Sequence, residues 1–376
     1  MKPTYVALLC LASLALAACG SAAPASTPAP SASAASVQAA APASAAAKSA
    51  GSASAAAKPE GGASASAAKP AASGQLTRVT ISNIGVSGGI QPLWIALDGG
   101  YFRNNGLDVT SLSSTTSSSA TVSALMAGQL NVAWTDGTNA VNANASGADL
   151  VVLATIHPAY SYLLEVPADI KTPDQLKGKK LAVSNLTGTD SIASRLALTR
   201  LGVDWQKDVT FVATGDNASR TAALLSGAVQ GTLQEPPGSL KLEAQGFHAL
   251  ADLTPMNLPS ANASLILDRG YVNANRATVQ KFMDSLVQAI ARNRNDRAFS
   301  LSILKKYFPD ETDSVLNTIY DYYRPDTPSL PFPKVELFKP GVDELSKANP
   351  KVAEVDLSKM IDTSFIQSAA DRKLDQ

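Results

Sequence analysis

Strand-like and helix-like segments alternate along residues 76–376, and this alternation restricts the fold more than any other feature of the sequence. Short apolar runs typical of strands occur at residues 79–82, 107–109, 131–134, 150–154, 180–183, 209–212, 229–233 and 249–250. Helix-like stretches that begin near Pro or Ser and end near Gly separate these runs. A repeated strand–helix–strand order predicts a mostly parallel sheet covered by helices, and its repetition predicts two such sheets.

The chain becomes mainly helical after residue 278. Apolar residues such as Val279, Phe282 and Leu286 recur at three- and four-residue spacing, which predicts two or three amphipathic helices up to about residue 323. The segment after Pro325 contains further Pro residues and predicts short helices near 342–348 and 358–370. The body of the chain therefore belongs to the α/β class.

The first 19 residues have the pattern of a signal peptide. Lys2 precedes an apolar run at residues 6–16, which is too short to span a bilayer as a helix. The run ends in Leu-Ala-Ala-Cys-Gly, which resembles the lipobox of bacterial lipoproteins, whose cysteine carries diacylglycerol and begins the mature chain. The resemblance implies lipid attachment at Cys19 and an extracytoplasmic protein anchored to the cell membrane. An ordinary secretory signal cut after Ala18 is the alternative.

Residues 20–75 consist almost entirely of Ala, Ser, Pro and Gly, with Val37 as the one bulky aliphatic residue. Such a segment cannot bury enough apolar area to offset the entropy lost on ordering. We therefore predict a disordered tether, whose random-coil reach is about 40 Å.

Composition excludes several classes of function. Lys plus Arg and Asp plus Glu both number 31, so the chain lacks the positive charge that nucleic-acid binding requires. The chain has two Cys and two His, and Cys10 falls inside the predicted signal peptide. A disulfide scaffold and a zinc site built from Cys and His are therefore excluded. We expect a monomer without a metal or cofactor.

Four motifs follow one another in the order found in one family of transport proteins. They lie at residues 91–109 (a Pro-led helix, a Gly-aromatic stop and a Gly-Leu-Asp-Val strand), 124–133, 172–183 and 223–231. Together they resemble the nitrate/sulfonate/taurine and thiamine-precursor binding proteins of ABC transporters. Asn131 stands where that family usually has Asp. The resemblance covers nearly all of residues 76–310.

The family resemblance implies a type II periplasmic-binding-protein fold, in which two α/β lobes are joined by two hinge strands and enclose the ligand between them. Lobe I would comprise residues 76–166 and 266–376, and lobe II residues 167–265, with crossings near 161–166 and 264–268. Ligand contacts to both lobes would drive hinge closure.

This fold implies a lipid-anchored, extracytoplasmic solute-binding protein that delivers a small molecule to an ABC permease. A solute-sensing lipoprotein of the same fold without a permease is the alternative. The resemblance does not imply an enzyme, because the Cys-rich motif of the pyrimidine-forming relatives is absent.

The ligand-binding residues are expected in the loops at the carboxyl ends of the parallel strands, where helix N-termini offer free N–H groups. The candidates are Ser87, Gly88, Gly89, Thr115, Thr116, Trp134, Asp136, His157, Tyr160, Thr187, Gly188, Thr189, Asn217 and Glu235. Structural roles are open for many of them. The hydroxyls are typical helix caps, and Trp134 is typical of a core. His157 and Tyr160 also suit a surface loop, and Glu235 also suits an ion pair with a Lys of the second lobe.

The charges near these loops bear on the class of ligand. Asp136 and Glu235 are acidic, and Asp190 would offset the positive end of the helix that it begins. None of the predicted loops contains Arg or Lys. We therefore expect a neutral, aromatic or amine-bearing ligand rather than a bare oxyanion, with rings such as Trp134 and Tyr162 available for stacking.

A serine hydrolase is a remote alternative. Residues 85–89 fit the G-x-S-x-G pattern between a strand and a helix, which would make Ser87 the nucleophile and His157 or His248 the base. A nucleophile elbow also needs an oxyanion-hole loop from an earlier strand, and no strand is predicted before this one.

Overall fold

The computed structural model describes residues 75–84, 86–115 and 117–376, apart from the side chains of residues 83–84 and 112–115. The described residues therefore exclude the predicted signal peptide, its lipid-attachment residue Cys19 and residues 20–74 of the predicted tether. The predicted ligand contacts through Thr116 and the side chain of Thr115 lie outside them as well.

Ten strands are found in the described residues, and they form two sheets. They are β1 Thr77–Ile84, β2 Leu107–Thr115, β3 Val132–Thr135, β4 Leu150–Ala159, β5 Leu163–Val166, β6 Lys179–Val183, β7 Val209–Ala213, β8 Gly231–Gln234, β9 His248–Asp252 and β10 Pro259–Asp268.

Helices alternate with the early strands and dominate the end of the chain. They are α1 Gln91–Asp98, α2 Tyr101–Asn104, α3 Ser118–Met126, α4 Gly137–Asn144, α5 Thr189–Arg200, α6 Asn217–Leu225, α7 Gly238–Glu243, α8 Arg269–Ala274, α9 Arg276–Asn295, α10 Arg297–Tyr307, α11 Asp313–Tyr323, α12 Lys339–Ser346 and α13 Ser364–Asp371. None of the helices in these described ranges is both long enough and apolar enough to cross a bilayer.

Each sheet is mostly parallel with one antiparallel strand. The first has the order β2-β1-β3-β10-β4, in which β1 pairs in parallel with β2 and β3, and β10 runs antiparallel to β3 and β4. The second has the order β7-β6-β8-β5-β9, in which β6 pairs in parallel with β7 and β8, and β5 runs antiparallel to β8 and β9. The predicted α/β class with two mostly parallel sheets is therefore confirmed.

The chain passes between the sheets twice. It leaves the first sheet after Ala159, the last residue of β4, and enters the second at Leu163, the first residue of β5. It returns between Asp252, the end of β9, and Pro259, the start of β10. The antiparallel strand of each sheet, β5 or β10, is thus the first strand after a crossing.

Both crossings lie earlier in the chain than predicted. Residues 163–166, within the predicted first crossing, pair with β8 and β9, and residues 264–268, the predicted second crossing, pair inside the first sheet. The apolar pattern of these stretches reflects burial within a sheet and not a passage between sheets. The lobe boundaries after residues 166 and 265 stay predictions.

A large core holds the C-terminal helices against the first sheet. The long helix α9 lies against α1 and α13, and Phe282 on its buried face stacks on Phe102 with ring centroids 4.8 Å apart. Trp94 of α1 stacks on Tyr307 of α10 at 4.1 Å. Each fully buried aromatic or aliphatic side chain of this kind stabilises the fold by about 1.5–3 kcal/mol. The predicted amphipathic helices are confirmed, and three of them, α9 to α11, cover residues 276–323.

Capping side chains fix the helix N-termini that follow the strands. Ser117, Asp136 and Asp216 precede α3, α4 and α6, and each side chain accepts a hydrogen bond from a backbone N–H of the first turn. Such caps are worth about 1 kcal/mol each. They hold three helix N-termini next to the carboxyl ends of β2, β3 and β7.

Candidate functional site

A cavity of about 110 Å³ lies at the carboxyl ends of the parallel strands, and residues of both sheets line it. Trp134 and His157 of β3 and β4 line it from the first sheet. Ser184 and Glu235, which follow β6 and β8, line it from the second. Since a water needs roughly 10–15 Å³ of such volume, the cavity has room for a small solute.

Most of the predicted site residues meet at this cavity. Those that line it are Ser87, Gly89, Trp134, Asp136, His157, Thr189, Asn217 and Glu235. Four others do not line it: Gly88 packs against Tyr323, and Tyr160 donates its hydroxyl to Asp136 Oδ2. Thr187 and Gly188 precede Thr189 in the chain. Their contacts with a ligand stay predictions.

Ser87 links the two sheets through Glu235. The Ser87 hydroxyl donates to Glu235 Oε1 at 2.5 Å, and its oxygen lies 3.2 Å from the hydroxyl of Tyr323. Asn217 Nδ2, at the start of α6, donates to the same Glu235 oxygen at 3.4 Å. Glu235 therefore makes polar contacts across the cavity and forms no ion pair with a lysine of the described chain.

A second set of contacts between the sheets joins hydroxyl groups of two helix N-termini. Ser118 of α3 and Thr189 of α5 are 2.7 Å apart at their hydroxyl oxygens, and both are buried. Ser119 and Thr187 are 3.1 Å apart. Residues that follow β2 of the first sheet and β6 of the second thus contact each other directly beside the cavity.

One buried ion pair lies at the cavity wall. The guanidinium of Arg220 is 3.5 Å from Asp190 Oδ2, and the two side chains are only 5% and 6% exposed. Asp190 also accepts hydrogen bonds from the backbone N–H and the hydroxyl of Ser184, both at 2.5 Å. Arg220 donates to Asn217 as well, so this pair supports the residue that contacts Glu235.

Two titratable side chains of the first sheet are fully enclosed. Burial raises the pKa of Asp136, although N–H donation from Thr138 and hydroxyl donation from Tyr160 oppose the shift. Burial lowers the pKa of His157, so its ring is neutral at pH 7 and donates from Nε2 to the carbonyl of Gly89 at 3.0 Å.

The hydrolase alternative requires a histidine base at Ser87, and the structure provides none among its described residues. Ser87 instead accepts a hydrogen bond from Gly89 N and donates to Glu235, while His157 Nε2 is occupied by a backbone carbonyl. His248 is on β9 and does not line the cavity. Ser87 therefore caps the short turn at Gly88–Ile90.

Several lining residues were not predicted from the sequence. Arg220 lies one turn inside α6 and not in a loop. Counting the Arg and Lys residues of the predicted loops therefore misses it. Tyr323 is the last residue of α11 and Asp326 follows that helix, so both are far along the chain from the strand ends. Ala263 has a φ of 50° beside a register shift in β10, and no pattern in the sequence indicates it.

The chain is similar in sequence to a known family and to a curated protein. Residues 88–296 match the protein family described as NMT1/THI5 like. The candidate binding protein YtlA of Bacillus subtilis (strain 168) is 24% identical over 256 residues, which are 66% of this chain and 76% of the relative.

Solved structures share the architecture. The periplasmic aliphatic sulphonate binding protein SsuA of Escherichia coli aligns with a TM-score of 0.60 and 22% identity over 77% of this chain and 98% of its own. The periplasmic nitrate-binding protein NrtA of Synechocystis PCC 6803 aligns with a TM-score of 0.66 and 14% identity over 80% of this chain and 89% of its own. The predicted periplasmic-binding-protein fold is confirmed, and these neighbours are named as binding proteins, in agreement with the expectation of a non-enzyme.

Proposed function

Because the chain belongs to the NMT1/THI5-like family, we propose that it is a solute-binding protein that captures a small molecule in the cavity between its two sheets and delivers it to an ABC importer. The observation that carries this proposal is that one cavity is lined by polar and aromatic side chains from both sheets. A solute that contacts both sheets favours their closed arrangement over any open one.

The proposal includes lipid attachment at Cys19, after removal of the signal peptide, and a tether up to residue 75. It rests on the lipobox pattern and on the Ala/Ser/Pro composition of the tether. Two or more acyl chains bind a membrane stably. Residues 76–376 would then capture solute outside the cytoplasm while staying near the permease, and the family resemblance supports that location.

The charges at the cavity favour a neutral, aromatic or amine-bearing ligand. Four carboxylates line it in the described chain, from Asp136, Asp190, Glu235 and Asp326. The one guanidinium, Arg220, is already paired with Asp190. An anion would have to approach the remaining carboxylates without a free cation to offset their charge.

Sulfonate and nitrate, after which the solved neighbours are named, fit this cavity poorly. A helix N-terminus binds an anion through its free N–H groups and positive dipole. At α5 the Asp190 carboxylate already lies in the first turn and accepts the N–H of Ser184. Aromatic rings of Trp134, Tyr162 and Tyr323 line the cavity instead and suit a flat solute.

The test is calorimetry with the purified protein, preceded by mass spectrometry of any small molecule released from it. The titrants are protonated amines, neutral heterocycles, alkanesulfonates and nitrate. We expect saturable binding of an amine or a heterocycle, weakened by Glu235→Gln and unchanged by Glu354→Gln, a matched change at an exposed position. Binding of sulfonates or nitrate alone would contradict the ligand class, and binding of no solute at all would contradict the function.

A further inference from the structure

Two of the cavity residues belong to a part of the chain beyond the family match. That match ends at residue 296, whereas Tyr323 is the last residue of α11 and Asp326 follows it closely. The C-terminal segment therefore does more than cover the first sheet, because it supplies part of the wall of the binding cavity.

This segment is fixed in place at the cavity. Asp326 Oδ2 accepts a hydrogen bond from the hydroxyl of Ser161, which lies between β4 and β5. Tyr322 donates its hydroxyl to the Ser161 carbonyl at 2.7 Å, and the ring of Tyr323 lies 5.6 Å from that of His157. The position of the Asp326 carboxylate is thus set by contacts to the first crossing and to α11.

The Asp326 carboxylate has an oxygen free for a ligand. Oδ1 accepts no hydrogen bond from the residues that the structure describes, and neither Asp326 nor Glu235 forms an ion pair with them. The two carboxylates reach the cavity from the C-terminal segment and from the second sheet, respectively. A cationic group between them would be bound by charge-assisted hydrogen bonds, which are the stronger kind.

Two buried polar atoms at the same cavity point independently to a ligand. Thr135 and His157 both line it and are only 4% and 5% exposed. Thr135 Oγ1 and His157 Nδ1 have no hydrogen-bond partner among the described residues. Buried polar atoms in native proteins nearly always have a partner. With Nε2 donating to Gly89, Nδ1 is an acceptor that suits an N–H donor.

We propose that Asp326 determines specificity by binding, together with Glu235, a protonated amino group of the ligand. This inference rests on the proposed solute-binding function and adds to it the ligand's cationic group and the residue outside the family match that selects it. The C-terminal segment thereby distinguishes amines from neutral solutes of the same shape.

The experiment uses size-matched pairs of probes, benzylamine with benzyl alcohol and 4-(aminomethyl)pyridine with 4-pyridinemethanol, together with benzenesulfonate. Calorimetry compares the full chain with Asp326→Asn, which preserves size and the acceptor for Ser161. Asp310→Asn, the same change at an exposed position, is the control. Thermal unfolding without probe shows whether each variant is folded.

We expect the amines to bind more tightly than their alcohol partners, and Asp326→Asn to weaken amine binding about tenfold or more while leaving alcohol binding unchanged. Asp310→Asn should bind like the unaltered chain. The inference is overturned if Asp326→Asn binds the amines as tightly as the unaltered chain does. It is also overturned if only the alcohols or only the sulfonate bind. Either result leaves the proposed solute-binding function standing. If Asp326→Asn does not fold, Asp326→Glu must keep the preference for amines. Binding of no probe, with no solute released from the protein, overturns both.

Discussion

Removing the buried guanidinium of Arg220 tests how the cavity wall is held together. Arg220→Met keeps the approximate volume of the side chain and deletes its charge. The change leaves the Asp190 carboxylate, whose side chain is 6% exposed, without its cationic partner at 3.5 Å. It also removes the donor to the carbonyls of Gly215 and Leu233.

The expected loss follows from that geometry. Breaking a buried ion pair by removing one partner costs about 3–5 kcal/mol, because the other charge stays buried and uncompensated. Asp190 keeps two hydrogen bonds from Ser184, which partly compensate its charge. We therefore expect the lower end, about 3 kcal/mol of unfolding free energy. Adding Asp190→Asn to Arg220→Met should recover part of this loss, because no uncompensated charge remains.

Urea unfolding of the purified chain and its variants measures these differences. Arg297→Met is the matched control, because Arg297 pairs with Asp321 at the surface, where the side chains are 45% and 59% exposed. The control should lose less than about 1 kcal/mol. The reasoning from a buried pair would be refuted if Arg220→Met lost no more unfolding free energy than Arg297→Met. It would also be refuted if the double variant were less stable than Arg220→Met alone.

Three further changes test the cavity and the fold around it. Asp190→Asn removes the carboxylate from the first turn of α5 and leaves Arg220 without its ion-pair partner. The variant should therefore bind methanesulfonate in calorimetry more tightly than the unaltered chain, and no gain would contradict the account of anion exclusion. Glu165 is fully buried, and neither of its carboxylate oxygens has a hydrogen-bond partner among the described residues. Burial, together with Glu243, raises its pKa to about 7 from an ordinary value of 4.5. The folded chain holds this proton where the unfolded chain has lost it, so stability should fall by about 3 kcal/mol between pH 4.5 and 7 in urea unfolding, and Glu165→Gln should abolish that fall. Gly137→Ala would place a Cβ 2.7 Å from Cε1 of the buried Phe338, so it should lower the unfolding free energy by about 1–3 kcal/mol, and an unchanged urea midpoint would exclude the clash.

Local patterns in the sequence predict the fold because each element carries its own signal. The helix starting at Gln91 has Pro in its first turn, and the apolar spacing of α9 is visible without the rest of the chain. Residues 264–268 of β10 are predicted from the sequence as a crossing between the lobes, whereas β10 begins at Pro259 and pairs within the first sheet. Its first half is polar and small because it lies next to the cavity, and so it lacks the alternation that marks a strand.

Part of the site could be predicted from the sequence, because ligands bind at the carboxyl ends of parallel strands. Applying this rule requires only the order of strands and helices along the chain. That rule finds Trp134, His157 and Glu235, each at or just after the end of a strand. It misses Tyr323 and Asp326, because their place at the cavity depends on how α11 packs against α10 and the turn at residues 88–90. Packing between distant segments has no local signature, so such residues appear only in the folded chain.

The prediction of a neutral, aromatic or amine-bearing ligand from the sequence did not include two charged residues of opposite sign that line the cavity. Counting only loop residues leaves out Arg220, which would favour an anion, and Asp326, which favours a cation. In the folded chain Arg220 is paired with Asp190, so its charge is not available to a ligand, whereas Asp326 contacts a serine hydroxyl and forms no ion pair with the described residues. The proposed preference for a cation therefore depends on which charges the fold pairs with each other, and not on how many of each sign the loops contain.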